Sequence, residues 1–338
     1  MADTFTPKSR LGAGAFGEVW LAYDGALDID RAVKLILPNR ITSQENFFEE
    51  AQILKRLEHP NIVRVDDAGR MDDGRLYIAM QYEAAGSIAD RAAGAPMPTR
   101  DALALVCGAL RGLEHAHNCG VVHRDIKPGN ILIGSSGEGK LSDFGLATYV
   151  GAGGAASPQG YIAHAAPEII RDEYASVLTD IYAVGVTLYR LLNGDDYLTP
   201  PEDRETAICD GRFPDRNRYR LFIPRSLKTI VNRAMHVEPQ SRYQSSRDLR
   251  QALERTRIAC NWYEEPISDG ILWRTKLKNK AVEVMLTRLS DGRYRICTTR
   301  QTAAGTRRVT ACCHDRLSQS QARTACHAVL TGFVTERR

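Results

Sequence analysis

The first part of the chain alternates short apolar runs with turn sequences, which predicts a small sheet. The predicted strands cover residues 19–22, 31–36, 62–65 and 76–82. Between the second and third strands, residues 47–57 place apolar side chains at the spacing of an amphipathic helix. We therefore expect a sheet accompanied by one helix.

From about Thr99 the pattern becomes helical. Apolar residues recur at three- and four-residue intervals in four long segments, residues 102–117, 177–192, 227–235 and 246–255. A small sheet-rich half followed by a larger helical half predicts two lobes with a cleft between them.

The last part of the chain changes character again. Strands are predicted at residues 271–277, 281–289 and 293–299, with a fourth possible over 307–313. Asp291-Gly292 is a hairpin signal between two of them. Ser318 and Gln321 form a capping box that opens a helix. The prediction is a compact module of three or four strands and one helix, and the fold class of the whole chain is α+β.

Length and composition agree with this division. At roughly 150 residues per domain, 338 residues suggest two domains, and 43% hydrophobic with 25% charged residues is ordinary globular composition. The net charge of +4 is unevenly spread, because residues 257–338 hold 15 Lys+Arg against 7 Asp+Glu. A slightly acidic body therefore carries a basic tail.

The expected location is the cytoplasm. No stretch approaches the roughly 18 uncharged apolar residues of a membrane span, and the N-terminus lacks the basic-then-apolar pattern of a signal peptide. The 8 cysteines contain no Cys-x-x-Cys pair and are interpreted as reduced thiols.

Candidate chemistry begins with Gly12-x-Gly14-x-x-Gly17-x-Val19. Glycines let a backbone approach phosphates closely. This loop lies between strands rather than opening a helix, which disfavours a dinucleotide-binding fold. Lys34 follows on a strand and Glu50 on the next helix, a placement that suits an ion pair but also fits solvated surface residues.

Three further motifs follow in order. They are His123-Arg124-Asp125-Ile126-Lys127-Pro128-Gly129-Asn130, Asp143-Phe144-Gly145 and Ala166-Pro167-Glu168. Together with the glycine loop and Lys34, this order and spacing resembles the eukaryotic-like serine/threonine protein kinases of the bacterial type.

The resemblance implies a bilobal kinase fold over residues 1–257. The N-lobe, an antiparallel sheet with one helix, would span about 5–82 and the larger helical C-lobe about 83–257. Residues 258–338 would form a small basic α+β module that matches no family by its motifs.

The resemblance also implies roles for the motif residues. The loop with Gly12, Gly14 and Gly17 would cover the phosphates of ATP, and Lys34 would contact them while paired with Glu50. Asp143 and Asn130 would hold Mg²⁺, with Mn²⁺ as an alternative. Asp125 would accept the proton of the substrate hydroxyl, and Lys127, typical of the Ser/Thr branch, would neutralise the transferring group.

The resemblance also implies which residues form the adenine pocket and which support the catalytic loop. The walls of the pocket would be Val19, Ala32, Met80 and Leu132, and the hinge would be Gln81, Tyr82 and Glu83, although apolar residues at these positions equally fit plain core. Asp180 resembles the helix aspartate that steadies the catalytic loop. Arg242 resembles the arginine that pairs with Glu168.

The segment before Ala166 departs from the family pattern, with Tyr161 where threonine is usual and His164 close by. Arg124 predicts control by phosphorylation of the activation loop, because such an arginine seeks an anionic partner. Ser157 is the hypothesised autophosphorylation site.

The function expected from these features is transfer of the γ-phosphate of ATP to Ser/Thr hydroxyls of protein substrates, with autophosphorylation and a C-terminal regulatory or targeting module. One alternative is a kinase-like scaffold of low activity, motivated by Tyr161 and His164. Another is a nucleic-acid-binding protein that uses the basic tail. Nucleic acid is the less favoured partner, because alternating basic residues on strands also fit a solvated sheet face.

Overall fold

The computed structural model describes most of the chain. The described residues are 5–14, 17–36, 48, 51–52, 54–144, 148–149, 162–171, 174–278, 280–303 and 305–335.

The N-terminal lobe contains a five-stranded antiparallel sheet with the order β1-β2-β3-β5-β4. Its strands are β1 (Phe5–Gly14), β2 (Gly17–Asp24), β3 (Ile29–Ile36), β4 (Val65–Arg70) and β5 (Leu76–Gln81). Residues 48, 51–52 and 54–56 are helical, within the helix predicted at 47–57.

The predicted strand at 62–65 is wrong in position, because β4 begins only at Val65. The main chain of Ile62 instead bridges Leu141, and the Val63 N–H donates to the Leu141 carbonyl at 2.8 Å. These apolar residues therefore connect the sheet lobe to the helical lobe, and the strand that follows is largely polar.

The second lobe is helical, as predicted. Its helices are α1 (Ile88–Ala92), α2 (Thr99–Asn118), α3 (Pro167–Ile170), α4 (Val177–Asn193), α5 (Arg204–Cys209), α6 (Arg225–Ala234) and α7 (Ser246–Glu254). Short strands β6 (Val121–Val122), β7 (Ile131–Ile133), β8 (Gly139–Leu141) and β9 (Thr148–Tyr149) form two small antiparallel pairs, β6 with β9 and β7 with β8.

Helix α4 lies at the centre of this lobe and is buried on almost all sides. Ser176 begins it, since its Oγ accepts the Leu178 N–H at 3.1 Å while Thr179 Oγ1 accepts the Ser176 N–H. A helix that is apolar around its whole circumference must be packed on all sides. It thus supplies a rigid support for the residues described below.

The C-terminal module has more strands than predicted. They are β10 (Tyr263–Ile267), β11 (Gly270–Leu277), β12 (Lys280–Arg288), β13 (Tyr294–Thr302), β14 (Gly305–Arg308) and β15 (His314–Leu317). All pair antiparallel, in the order β10-β11-β12-β13-β14, and β15 also pairs with β13. The strand predicted at 307–313 is wrong, because a 3-10 turn at Thr310–Cys312 separates β14 from β15.

Helix α8 (Gln319–Val334) covers one face of this sheet. The predicted capping box is confirmed, since Ser318 Oγ accepts the Gln321 N–H and Gln321 Oε1 accepts the Ser318 N–H. Directly opposite one another on that sheet face are Trp273, Val284 and Thr298, all completely buried.

The module shares one hydrophobic core with the helical lobe. Trp262 packs edge-on against Phe333 of α8, and its indole N–H donates to the Leu330 carbonyl at 3.2 Å. Across the junction, Glu264 accepts from Arg220 at 2.5 Å and from the Trp273 indole N–H at 2.7 Å.

The connection between α7 and β10 is itself packed. The Ala259 N–H donates to the Val334 carbonyl at 2.8 Å, and Asn261 Oδ1 accepts the Arg100 N–H, also at 2.8 Å. His327 of α8 contacts the helical lobe, with Nδ1 donating to the Leu221 carbonyl at 2.7 Å. The module is therefore docked along its length rather than tethered.

The face of the module sheet opposite α8 carries much of the basic charge. Arg274 is paired with Glu265 and, at 3.0 Å, with Glu283. Arg295 is paired with Asp315, also at 3.0 Å. Acidic neighbours thus neutralise these basic side chains. This pairing argues against a surface that binds the phosphates of a nucleic acid. Among the described residues, no helix is long and apolar enough to cross a membrane.

Candidate active site

The segment between β6 and β7 brings a carboxylate, an ammonium and an amide together. Asp125 Oδ2 accepts from Lys127 Nζ at 2.6 Å and from Asn130 Nδ2 at 2.9 Å. The same Asn130 Nδ2 lies 2.8 Å from the Asp125 carbonyl, which closes the loop on itself. The Asp125 side chain is only 14% exposed, so its orientation is fixed by these bonds.

His123 holds this loop from below. Its Nε2 donates to the Ser142 carbonyl at 3.0 Å, and Nδ1 accepts the Asp125 N–H at 3.3 Å. The ring packs on Phe144 with centroids 4.4 Å apart. The loop that carries Asp125 is therefore fixed against the segment that carries Asp143.

Asp180 of α4 supports the loop through its main chain, as the resemblance implied. Its two carboxylate oxygens accept the N–H groups of His123 at 2.9 Å and Arg124 at 2.8 Å. Arg124 has a φ of 70°, a conformation that costs energy for a side-chain-bearing residue and is found where the surroundings enforce it.

Two residues that the sequence did not single out complete this support. His117 Nε2 lies 2.8 Å from Asp180 Oδ2, and Ser246 Oγ lies 2.8 Å from His117 Nδ1. Burial raises the pKa of Asp180, but the hydrogen bond and charge of His117 and the His123 N–H outweigh it, so the pKa is below its ordinary value. The signal available in the sequence was a histidine at the end of α2, six residues before His123.

Lys34 and Asp143 form an ion pair across the cleft between the lobes. Burial raises the pKa of Asp143, but the charge and hydrogen bond of Lys34 outweigh it and hold the pKa below its usual range. Asp143 has a φ of 57°, the second strained position at this site. Glu50, predicted to pair with Lys34, lies outside the described residues.

The glycine loop is a hairpin between β1 and β2. Gly12 lies opposite Val19, and Gly14 lies opposite Gly17. Gly17 has a φ of 150°, and a Cβ there would lie 1.8 Å from the Leu35 carbonyl oxygen. Only glycine therefore lets this strand start so close to β3.

Three of the predicted adenine-pocket residues lie on one face of three adjacent strands in the N-terminal sheet. Ala32 lies opposite Met80 in the sheet, and Val19 lies opposite Lys34. These residues and Leu132 of β7 are half-buried, whereas their sequence neighbours Val33, Ile131 and Ile133 are fully buried. Gln81 and Tyr82, also half-buried, continue from β5 into the second lobe. The alternation shows one face turned to the core and one to the cleft.

A buried ion pair beside the hinge was not predicted. Lys140 Nζ donates to Glu83 Oε1 at 2.6 Å, and their side chains are only 9% and 4% exposed. Lys140 is part of β8, opposite Leu132. A lysine in a short, otherwise apolar strand was the available signal, because a buried ammonium needs an anionic partner.

Arg242 and Glu168 form the pair expected from the resemblance. The guanidinium donates to both carboxylate oxygens at 2.7 Å, and Arg242 is completely buried. Thr179 Oγ1 also donates to Glu168, at 3.1 Å. Glu168 is thus held by α4 through Thr179 and by the segment before α7 through the bidentate bonds of Arg242.

The other predictions for the segment before Ala166 concern Ser157, Tyr161 and His164. The described residues include neither Ser157 nor Tyr161. His164 is described and is 5% exposed. Burial lowers the pKa of His164 to about 3, so its imidazole is neutral at pH 7.

The donor set fits the group that the motifs imply. Asn130 commits its amide nitrogen to Asp125, which turns its amide oxygen to the opposite side, and Asp143 supplies a carboxylate. Hard oxygen ligands of this kind suit Mg²⁺ and Mn²⁺.

The two-lobed fold and this arrangement define a kinase-type phosphotransferase architecture, with a strand lysine facing an aspartate and an Asp–Lys–Asn group on the loop below. The protein kinase domain family matches residues 5–255. The chain belongs to this family.

Curated proteins similar to this chain are also protein kinases. The chain is 33% identical over 252 residues to the serine/threonine-protein kinase PrkC of Bacillus subtilis, covering 71% of this chain and 38% of PrkC. It is 32% identical over 253 residues to PknJ of Mycobacterium tuberculosis, covering 71% and 43%. It is 30% identical over 269 residues to PknB of Mycobacterium leprae, covering 75% and 43%. The chain thus spans about two fifths of the length of each.

Proposed function

We propose that the chain is a serine/threonine protein kinase that transfers the γ-phosphate of ATP to hydroxyl groups of proteins, itself included. The observation that carries this proposal is the group around Asp125, where one carboxylate is held by Lys127 and Asn130. A carboxylate fixed in this way can receive the proton of an attacking hydroxyl.

The other residues divide the work of phosphoryl transfer between them. The main chain around Gly12, Gly14 and Gly17 would cover the phosphates, and Lys34 would exchange its contact with Asp143 for one with them. Lys127 would neutralise the transferring group. A divalent cation held by Asn130 and Asp143 would reduce the charge on the phosphate oxygens.

The preference for Ser/Thr rests on Lys127, two residues after Asp125, and on the similarity to PrkC, PknJ and PknB, which are named serine/threonine-protein kinases. Regulation through the activation loop remains a prediction that rests on Arg124 and Ser157. Arg124 is half-buried beside the catalytic loop, where it could meet a phosphate. Protein substrates and a cytoplasmic location are part of the proposal.

The test is transfer of radiolabelled phosphate from ATP to a generic basic protein by the full chain. Asp125→Asn keeps the shape of the side chain but removes the base, and we expect a loss of about 10²–10⁴-fold. Asp72→Asn, in an exposed turn, is the matched control and should retain activity. Equal phosphate transfer by the wild type and Asp125→Asn would reject the proposal and leave a kinase-like scaffold.

A further inference from the structure

Two half-buried cysteines face one another in the C-terminal module. Strands β13 and β15 are antiparallel with Ile296 opposite His314, the first residue of β15. Cys297 and Cys313 are the next residues along the two chains, and continuing the register by one residue places them opposite one another. Opposed residues of antiparallel strands have Cα atoms about 4.5–5.5 Å apart. That separation lies within the roughly 4.4–6.8 Å spanned by disulfides.

The sulfur of Cys313 is contacted by hydrogen-bond donors and also by two acceptors, the carbonyl oxygens of Val309 at 3.3 Å and Thr298 at 3.7 Å. Arg308 Nε lies 3.2 Å from it and the Thr298 main-chain N–H lies 3.3 Å from it. The Cys297 thiol is a third donor to the same sulfur. Positive charge and hydrogen bonds of this kind stabilise a thiolate.

The pKa values of the two thiols are shifted in opposite directions. Burial raises the pKa of Cys313, but the donors from Thr298, Arg308 and Cys297 outweigh it and bring the pKa below its ordinary value. Burial and the negative charge of Cys313 raise the pKa of Cys297. The Cys313 sulfur is thus favoured as the thiolate nucleophile, and the Cys297 sulfur stays a protonated thiol.

Two further charged groups of the neighbouring strands, Arg295 and Asp315, form a salt bridge at 3.0 Å. They largely cancel one another, so the Arg308 guanidinium sets the local potential at Cys313. Arg308 is itself exposed, which leaves the site open to small solutes.

The six other cysteines lack this combination of access and activation. Cys209 is half-buried, and its thiol donates to the Pro167 carbonyl at 3.9 Å. Cys107, Cys260, Cys312 and Cys326 are buried, and burial raises the pKa of Cys107 to about 11 and that of Cys326 to about 12. Cys119 is exposed, and its sulfur lies 3.9 Å from His115 Nε2.

We propose that Cys313 and Cys297 form a dithiol site that reacts with hydroperoxides. The Cys313 thiolate attacks the peroxide oxygen, the O–O bond breaks, and the leaving hydroxide takes up a proton, giving a sulfenic acid and water. The Cys297 thiol then attacks the sulfenic sulfur, and a second water leaves as the disulfide forms. In sum, two thiols and one hydrogen peroxide give one disulfide and two waters.

The first test compares alkylation rates in the reduced full chain. Iodoacetamide at pH 7, followed by peptide mass spectrometry, should modify Cys313 before Cys119, the exposed internal control. Arg308→Gln should slow the Cys313 rate several-fold, because the thiolate loses the hydrogen bond and the positive charge of the guanidinium. A Cys313 rate no greater than that of Cys119 would overturn the proposal.

The second test adds hydrogen peroxide and maps the products. The expected product is a peptide pair joined through Cys297 and Cys313, reversed by dithiothreitol. Cys297→Ser should instead leave a sulfenic acid on Cys313 that dimedone traps, and Cys313→Ser should yield neither product. Oxidation spread evenly over Cys119 and Cys313, without the joined pair, contradicts the proposal. Neither test depends on phosphotransfer activity.

Discussion

Replacing Lys140 by methionine removes the positive charge that faces Glu83 beside the hinge. The Nζ–Oε1 distance is 2.6 Å, and a second carboxylate, that of Glu138, lies 3.7 Å from the same ammonium. Lys140→Met would leave the Glu83 carboxylate buried without its cation. Removing one partner of a buried pair costs about 3–5 kcal/mol.

The size of the effect follows from two opposing quantities. At 2.6 Å and an effective dielectric constant of about 20, the attraction is about 6 kcal/mol. Desolvation of both ions offsets most of it, so replacing the pair by two apolar residues is commonly neutral or stabilising. We therefore expect Lys140→Met/Glu83→Met to lie within about 1–2 kcal/mol of the wild type, well above either single variant.

The assay is urea unfolding followed by tryptophan fluorescence, with Trp20 in the sheet lobe and Trp262 and Trp273 in the module. The midpoint and slope of each variant give its free energy of unfolding. Glu138→Gln, which removes the more distant carboxylate, is the control and should cost less than about 1 kcal/mol. Single variants whose losses simply add in the double variant would refute the reasoning.

Three further predictions concern the same lobes. Arg242→Met removes both bonds to Glu168 and should cost about 3–5 kcal/mol, lowering Tm by roughly 10 °C in calorimetry; a shift under about 2 °C would contradict the buried-pair account. The pKa of His164 is about 3 in the folded state against 6.5 unfolded, so unfolding takes up a proton between these values and stability falls with pH below 6.5. The wild type should therefore lose about 2 kcal/mol more than His164→Met between pH 7 and pH 5, measured by urea titration at each pH, and equal losses would show a different origin. Gly17→Ala should raise the KM for ATP at least about tenfold because its Cβ meets the Leu35 carbonyl, whereas Gly12→Ala, with open space around the added carbon, should change it far less; similar KM values for the two variants would rule out the steric cause.

The helices were predictable because their signals are local. Apolar spacing predicted a helix at 177–192, and α4 spans Val177–Asn193. The capping box at Ser318 likewise marked the first turn of α8. Each signal lies within one or two helical turns of the chain, where periodicity and side-chain caps operate.

The strands were harder because their partners are distant in sequence. β10 (Tyr263–Ile267) contains two glutamates and a proline and gave no strand signal. It forms at the edge of the sheet, where proline is tolerated and where pairing with β11 and the docking of Glu264 define it. β4 is similarly polar, and the sheet rather than its composition makes it a strand.

For the candidate site, the motif residues could be predicted and their supports could not. Asp125, Lys127 and Asn130 lie within one short loop, so sequence spacing already implied their proximity. The contacts of His117 with Ser246 and of Lys140 with Glu83 join residues far apart in the chain. Only the packing of whole helices and strands brings these groups together. A single sequence does not show which of its distant residues will be in contact.

The packed junction between the helical lobe and the module has a kinetic consequence. A partner held by a flexible tether samples a volume, and its effective concentration at an active site is set by the length of the linker. Here the Arg220–Glu264 pair and the bond from His327 to the Leu221 carbonyl fix the module to the lobe. Any partner bound to the module is thus presented to Asp125 at one distance and one orientation. For a partner whose acceptor hydroxyl reaches the carboxylate, the local concentration is high, and for every other partner it is close to zero. A partner that binds the module would therefore be selected by geometry as well as by affinity.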